Sequence, residues 1–416
     1  MSTASLRADV PATLHPFARP ANADYVEIVR GDGAHVWDAD GKRYVDALAS
    51  LWYCAVGHGR TEIADAIAEQ ARTLAGFHTF EKFTNPPAAR LAERLVGLAP
   101  MPDARVMFTQ SGSEAVDSAI KLARLAHALE GAPERTVLIA RTPSYHGVTY
   151  GGMTATGLPP NREAFGPGIG DVVHVPYDDL EATRRALEAN AGRVAAVIAE
   201  PVVGAGGVWP PPDGYLPGVR ELCDAHGALL IADEVVCGFG RLGTWWGSQH
   251  YGVVPDIATF AKAVTCGYVP LGGVLVGARV RAALEADEGF MLRHGHTYAG
   301  HPTACAAGLA ALDLIEGEGL LDRAGPVGTR LSKGLDALAE EGLVASVRGA
   351  GAVWAVGLHE GDPAPAVRDG MLERGVIARP IGADTIAFCP PLVIDDGDVD
   401  ACVDALADAL RARRAA

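Results

Sequence analysis

The chain has 416 residues, 49% hydrophobic and 21% charged, with a formal net charge of −16 at pH 7. That length exceeds what one core usually fills, and the balance is that of a folded, water-facing protein. The acidic charge argues against nucleic acid and anionic membrane surfaces as partners, and no apolar run reaches transmembrane length.

Seven cysteines form no C-x-x-C pair, and the first twenty residues hold no apolar signal stretch, so a cytoplasmic protein without a disulfide framework is expected. Residues 1–24 read as a polar, Pro-containing arm, and 25–47 as small antiparallel strands flanking turns at Gly31-Asp32-Gly33 and Asp38-Ala39-Asp40-Gly41. Helical spacing follows at 61–75 (Ile63, Ile67, Leu74) and 87–98 (Leu91, Leu95, Leu98). From about 104 to 280, short apolar strands at 106–108, 137–140, 194–199, 229–232, 257–261 and 274–277 are interleaved with helices at 113–129, 179–190 and 217–226. This alternation predicts an α/β fold, a mostly parallel sheet with helices on both faces. Helices near 302–316, 323–340 and 396–414 and strands within 344–358 and 385–394 predict a smaller α+β unit, which the N-terminal strands are free to join.

Two charges stand at strand ends in the central region. The run 228–232 delivers Asp233, and the run 257–261 delivers Lys262. Charges there are costly unless they are paired or bind something charged, and the carboxyl ends of such strands form the ligand crevice of open α/β sheets. An acid and a lysine together suit pyridoxal phosphate, with the lysine at the aldehyde and the acid at the ring nitrogen. An ordinary ion pair, or two unrelated surface residues, is the plainer alternative.

Other segments point to the same crevice. Ser111-Gly112-Ser113 opens a helix after a strand, where free N–H groups and the positive dipole end suit a phosphate; Ser is also simply a favoured N-cap. Tyr145, after the strand at 137–140, can stack on a planar ring, and His146 beside it is a base or a structural histidine. Glu200 ends another strand before the tight Gly204-Ala205-Gly206-Gly207 loop. His294 and His296, two apart with no Cys or Glu ligand set, do not make a zinc site, and no metal is expected.

The segments SGSEA, YHG, EPVVGAGG, DEVVCGFGR, AKAVTCGYVPLGG and GHTYAGHP, in this order, resemble the motif series of class III pyridoxal-phosphate aminotransferases from about Tyr25 onward. The resemblance implies fold type I: a large seven-stranded cofactor domain at 61–300, and a small domain from both termini, 1–60 with the arm and 301–416. It implies a homodimer with shared active sites, whose dimers are free to pair into tetramers. By match to motif, Lys262 forms the Schiff base and shuttles the proton, and Asp233 pairs with the ring nitrogen. Tyr145 and Val235 cover the two ring faces, Ser111, Gly112 and Ser113 hold the phosphate with Thr297 of a second subunit, and Glu200 and His146 lie near the cofactor.

Where relatives resembling ornithine aminotransferase often carry a Glu, this chain has Ala205, a form resembling ω-transaminases of the amine–pyruvate and β-alanine–pyruvate branch. Arg379 matches the mobile arginine of that branch, which binds a carboxylate, although a surface arginine after a strand is the plain reading. Trp52, with Leu51 and Tyr53, and Phe80 match aromatics that shape the substrate pocket; core packing is their alternative. His296 stands where many relatives have Phe, and Gln110 where Asn is common. The implied reaction is ping-pong transfer of an amino group from a primary amine or ω-amino acid to pyruvate or a similar 2-oxo acid. A decarboxylase, an aminomutase or a 2-oxoglutarate-dependent aminotransferase is the alternative on the same scaffold.

Overall fold

The computed structural model describes residues 11–415, so the first ten residues of the expected arm lie outside the described residues. In chain order the elements are β1 (Ile28–Asp32), β2 (His35–Asp38), β3 (Arg43–Asp46), α1 (Ala49–Trp52), α2 (Thr61–Leu74), α3 (Pro86–Leu98), β4 (Arg105–Thr109), α4 (Gly112–Leu129), β5 (Val137–Thr142), α5 (Tyr150–Ala155), β6 (Val172–Pro176), α6 (Leu180–Ala189), β7 (Val194–Ala199), α7 (Tyr215–His226), β8 (Leu229–Asp233), α8 (Gly247–His250), β9 (Ile257–Phe260), β10 (Gly272–Val276), α9 (Ala278–Glu285), α10 (Pro302–Gly317), α11 (Leu320–Glu340), β11 (Ser346–Ala350), β12 (Val353–Gly357), α12 (Ala364–Glu373), β13 (Val376–Ile377), β14 (Arg379–Ile381), β15 (Thr385–Phe388) and α13 (Asp396–Ala415).

Seven strands form one sheet in the order β4-β10-β9-β8-β7-β5-β6. Strand β10 runs antiparallel to both neighbours and the other six are mutually parallel. Every residue of β7, β8 and β9 is buried, as continuous apolar runs in a sheet covered on both faces require. Side chains alternate between two cores. Ala196, Ile198, Leu229 and Ile231 pack with α4, while Val197, Ala199 and Leu230 pack with α7.

The N-terminal strands do join the C-terminal region: β1-β2-β3 continues into β13, with Val45 paired in parallel to Val376. A further sheet runs β11-β12-β15-β14. Strand β6 and helices α5, α9 and α12 have no counterpart in the sequence reading. Strand β6 holds only five residues, and α5 and α12 have six and ten with Gly or Pro inside, too short for a clear hydrophobic period.

Candidate active site

Parallel pairing brings three strand ends together. Ala199 sits opposite Ala232, and Asp233 opposite Thr259, so Glu200, Asp233 and the segment leading to Lys262 emerge side by side. Asp233 is 3% exposed and fully engaged. Its Oδ2 accepts from His146 Nδ1 at 2.6 Å, and its Oδ1 accepts from Thr259 Oγ1 at 3.0 Å and the Val235 N–H at 3.2 Å. Burial alone would raise its pKa. The His146 hydrogen bond and charge, the Val235 N–H and the nearby Lys262 outweigh that and hold it below the ordinary carboxylate value. Thr259 was not singled out from the sequence; as the β9 partner of Asp233 it was visible only once the strand register was known.

Lys262 follows β9 with a left-handed backbone, φ +49°, a strained conformation for a residue with a Cβ. Burial lowers the pKa of its ammonium, opposed by Asp233 and Glu200. Glu200 is buried, with Oε1 accepting the Tyr145 N–H at 3.0 Å and Oε2 the Gly204 N–H at 2.8 Å. Desolvation raises its pKa, as does Asp233, against His146 and those two N–H groups. The glutamate therefore ties the backbone under Tyr145 to the loop that carries Ala205, which lies in a turn closed by the Gly207 N–H on the Gly204 carbonyl at 3.0 Å.

At the start of α4, Ser111 has extended backbone and its Oγ caps the Glu114 N–H at 3.2 Å, so the plain N-cap role is filled. Ser113 Oγ accepts the Val148 N–H at 3.0 Å. A Cβ on Gly112 would stand 3.0 Å from Val235 Cγ1, so glycine lets the turn approach the Val235 loop without displacing that side chain.

Arg379, the first residue of β14, is half-buried, and no carboxylate lies within ion-pair distance among the described residues. Burial lowers its pKa, opposed by the charge on the Tyr145 phenol, and its own charge lowers the pKa of Lys262. Trp52 is only 3% exposed and packs with Val202, Val208 and Val353. Phe80 is 45% exposed, and its Cζ lies 3.8 Å from where a Cβ on Gly295 would be. Thr297 is exposed on the same loop as Gly295. The structure thus gathers Glu200, Asp233, Lys262, His146 and Tyr145, with Arg379 electrically linked to Tyr145 and Lys262; it leaves Phe80 and Thr297 exposed and puts Trp52 in an apolar cluster.

A model of the class III aminotransferase family matches residues 17–410. The chain is a class III aminotransferase. It is 37% identical to a β-alanine–pyruvate aminotransferase of Pseudomonas aeruginosa, over 92% of this chain and 91% of that protein. A putrescine–pyruvate aminotransferase of the same organism is 36% identical, covering 90% and 88%. Among solved structures, an (S)-enantioselective ω-transaminase from Thermomicrobium roseum superposes with a TM-score of 0.94 at 38% identity, with 97% of both chains covered. An amine transaminase from an uncultivated Pseudomonas species, solved with pyridoxal phosphate bound, gives 0.92 at 38%, covering 97% of this chain and 99% of that one.

Pyridoxal phosphate is the cofactor of the class III aminotransferase, and the residues fit it. Asp233 uses three of about four acceptor positions on its two oxygens, leaving one for a ring N–H. Gln110 Nε2, beside the start of α4, and His146 Nε2 are buried without a partner among the described residues. An unpartnered buried donor next to a helix N-terminus suits a phosphate.

Proposed function

We propose that this aminotransferase moves an amino group from a primary amine or ω-amino acid to pyruvate or a similar 2-oxo acid, in two half-reactions at one site. The observation that carries the reading is Arg379: a half-buried guanidinium whose charge is felt at Tyr145 and Lys262 and which has no acid partner among the described residues. Such a cation is ready for the carboxylate of a 2-oxo acid. Ala205, where an acid would otherwise occupy the arginine, agrees with this, and so do the pyruvate-using relatives.

The bound cofactor supplies an aldehyde that condenses with amines and a ring that accepts an electron pair. Lys262 Nζ, whose burial favours the neutral amine, takes the proton from the substrate carbon that bears nitrogen and returns one in the second half-reaction. Asp233 keeps its negative charge for the ring nitrogen, with His146 and Thr259 fixing the carboxylate. Glu200 sets the Tyr145 backbone so that the phenol lies on one ring face, and Val235 covers the other. Ser111, Gly112 and Ser113 bind the phosphate at the start of α4, while Trp52, Phe80, Tyr145, Ala205 and Arg379 bound the substrate space.

The same reading includes a homodimer in which Thr297 serves the site of the other subunit. Phe77, Phe80, Phe83, Met291 and Tyr298 are large apolar side chains left exposed on one chain, and they suit a self-complementary interface. It includes the division at 60 and 300, supported by the pairing of β3 with β13, and a cytoplasmic location, supported by seven buried, unpaired cysteines. Among the described residues no helix is long and apolar enough to cross a membrane.

The test mixes the purified enzyme and cofactor with a donor panel and, separately, pyruvate, 2-oxoglutarate or glyoxylate. Alanine from pyruvate is expected; no alanine with any donor sinks the reading, and a clear preference for 2-oxoglutarate replaces the acceptor. Sedimentation at micromolar concentration checks the dimer.

A further inference from the structure

Outside the crevice, one face of α4 presents Glu114, Ser118 and Lys121, at i, i+4 and i+7. The loop between α9 and α10 lays two imidazoles on that face. Lys121 Nζ lies 3.0 Å from His294 Nδ1, His294 Nε2 lies 2.9 Å from Ser118 Oγ, and Ser118 Oγ lies 3.2 Å from His296 Nε2. His296 Nδ1 stands 3.7 Å from Glu114 Oε1, and Glu114 Oε2 accepts the Gln110 N–H at 2.7 Å.

Counting donors fixes the direction of this chain. An ammonium only donates, so His294 Nδ1 is the bare nitrogen and Nε2 carries the proton. That N–H donates to Ser118, whose single hydroxyl proton is then free for His296 Nε2. His296 therefore holds its own proton on Nδ1, facing the Glu114 carboxylate. The last residue reached, Gln110, precedes the turn that opens α4.

We propose that Lys121, His294, Ser118, His296 and Glu114 form a positioning relay that holds the loop bearing Thr297 and the phosphate-binding start of α4 together, and that it retains the cofactor better in neutral than in mildly acidic solution. The proposal rests on reading that helix start as the phosphate site. The charged groups around His294 are Lys121 on α4, His296 and Arg293 on its own loop, and Asp287, which lines the same cavity. His296 faces Glu114 on α4 and His294. A proton on His294 Nδ1 removes the acceptor of Lys121 and opposes two cations, so His294 is the sensitive member.

Burial, Lys121 and His296 lower the His294 pKa, so the fold favours the neutral ring. Its contribution is whole above about pH 6.5, the ordinary histidine value, and is lost as pH falls from there through the folded pKa.

The test follows release of bound cofactor from the holoenzyme by absorbance after dilution, in steps from pH 7.5 down to 4.5. The wild-type enzyme is expected to release it roughly three- to tenfold faster at the low end, the size of one lost hydrogen bond. Ser118→Ala should show that faster release already at pH 7.5. His294→Gln keeps a donor for Ser118 and an acceptor for Lys121 without titrating, so it should hold cofactor like wild type at pH 7.5 and lack the step. Wild-type release from Ser118→Ala, or an intact pH step in His294→Gln, overturns the relay; if Ser118→Ala does not fold, His294→Gln decides alone. A wild-type protein that takes up no cofactor would sink the functional reading as well, whereas unaltered variants of a cofactor-bound enzyme sink only the relay.

Discussion

Asp233 and Glu234 are neighbours at the end of one strand, 3% and 0% exposed, and they serve opposite regions of the molecule. Asp233 faces the crevice at the strand ends, and His146 and Lys262 hold its pKa low against burial. Glu234 faces the scaffold, where its oxygens accept the Gly247 and Ser248 N–H groups at 2.7 Å each, and burial raises its pKa to about 7. Equal depth thus goes with opposite shifts of the two carboxyl groups. Asp233 has an imidazole and an ammonium nearby; Glu234 has hydrogen bonds from neutral donors, and Asp233 as a like charge. The alternation of side chains along an extended backbone is what separates site from scaffold.

The strongest way to break this contrast lies on the crevice side. If Lys262 carries the proton as proposed, Lys262→Ala should lower the turnover number for alanine formation by at least ~10³-fold. Asp233→Asn keeps the shape and removes the charge, with an expected loss of roughly 10²–10³-fold, the scale of a lost electrostatic contact at a reacting centre. The same measurement on Glu234→Gln should change little. If Glu234→Gln cost more turnover than Asp233→Asn, the assignment of the two carboxylates to site and scaffold would be wrong.

The crevice was readable in the sequence because its groups sit at the ends of short apolar runs: Asp233 after 228–232, Glu200 after 194–199, Lys262 after 257–261. The parallel sheet followed from the same runs. Register was not readable, so the Thr259 contact to Asp233 and the division of labour between Asp233 and Glu234 emerged only from the pairing of β8 with β9. Nor was the joining of the termini: β3 and β13 pair across about 330 residues, and two-residue β13 has no periodicity of its own. Arg379 was visible only through family resemblance, since nothing local distinguishes it from a surface arginine. Trp52 shows the limit of pattern in another way. Ala49, Ser50 and Trp52 all adopt positive φ, at 48°, 59° and 68°, a strained turn that composition does not announce. Asp46 steadies that turn by accepting the Leu48 and Ser50 N–H groups and by pairing with His58.

Arg379 extends the contrast to the substrate side. Arg379→Leu should raise KM for pyruvate and for carboxylate-bearing donors by roughly ten- to a hundredfold, the worth of a charge-assisted hydrogen bond. A donor without a carboxylate should show little change in its own half-reaction. Equal losses for both donor classes would mean that Arg379 shapes the site and does not bind carboxylate.

The smallest effect sharpens the scaffold side. Glu234 has a folded pKa of about 7 against an ordinary value of 4.5, so between these pH values the folded protein binds more protons than the unfolded one. Stability from this group is therefore full below about pH 4.5 and is lost as pH rises through 7, a change of order 3 kcal/mol at 1.36 kcal/mol per unit. Asp233 has the opposite sign: its stabilisation is present above the ordinary value of 3.8 and is lost as pH falls through its lower folded pKa. Glu234→Gln abolishes the first slope and leaves one of the Gly247 and Ser248 N–H groups facing an amide donor, at a cost of about 1–3 kcal/mol. The two effects oppose each other. The variant should melt below wild type at pH 5, and the gap should close or reverse by pH 8 as the wild-type carboxyl ionises in its buried place. A gap in Tm that stays constant from pH 5 to 8 would show that Glu234 is ionised throughout, and that both carboxylates at the end of β8 are held as charges.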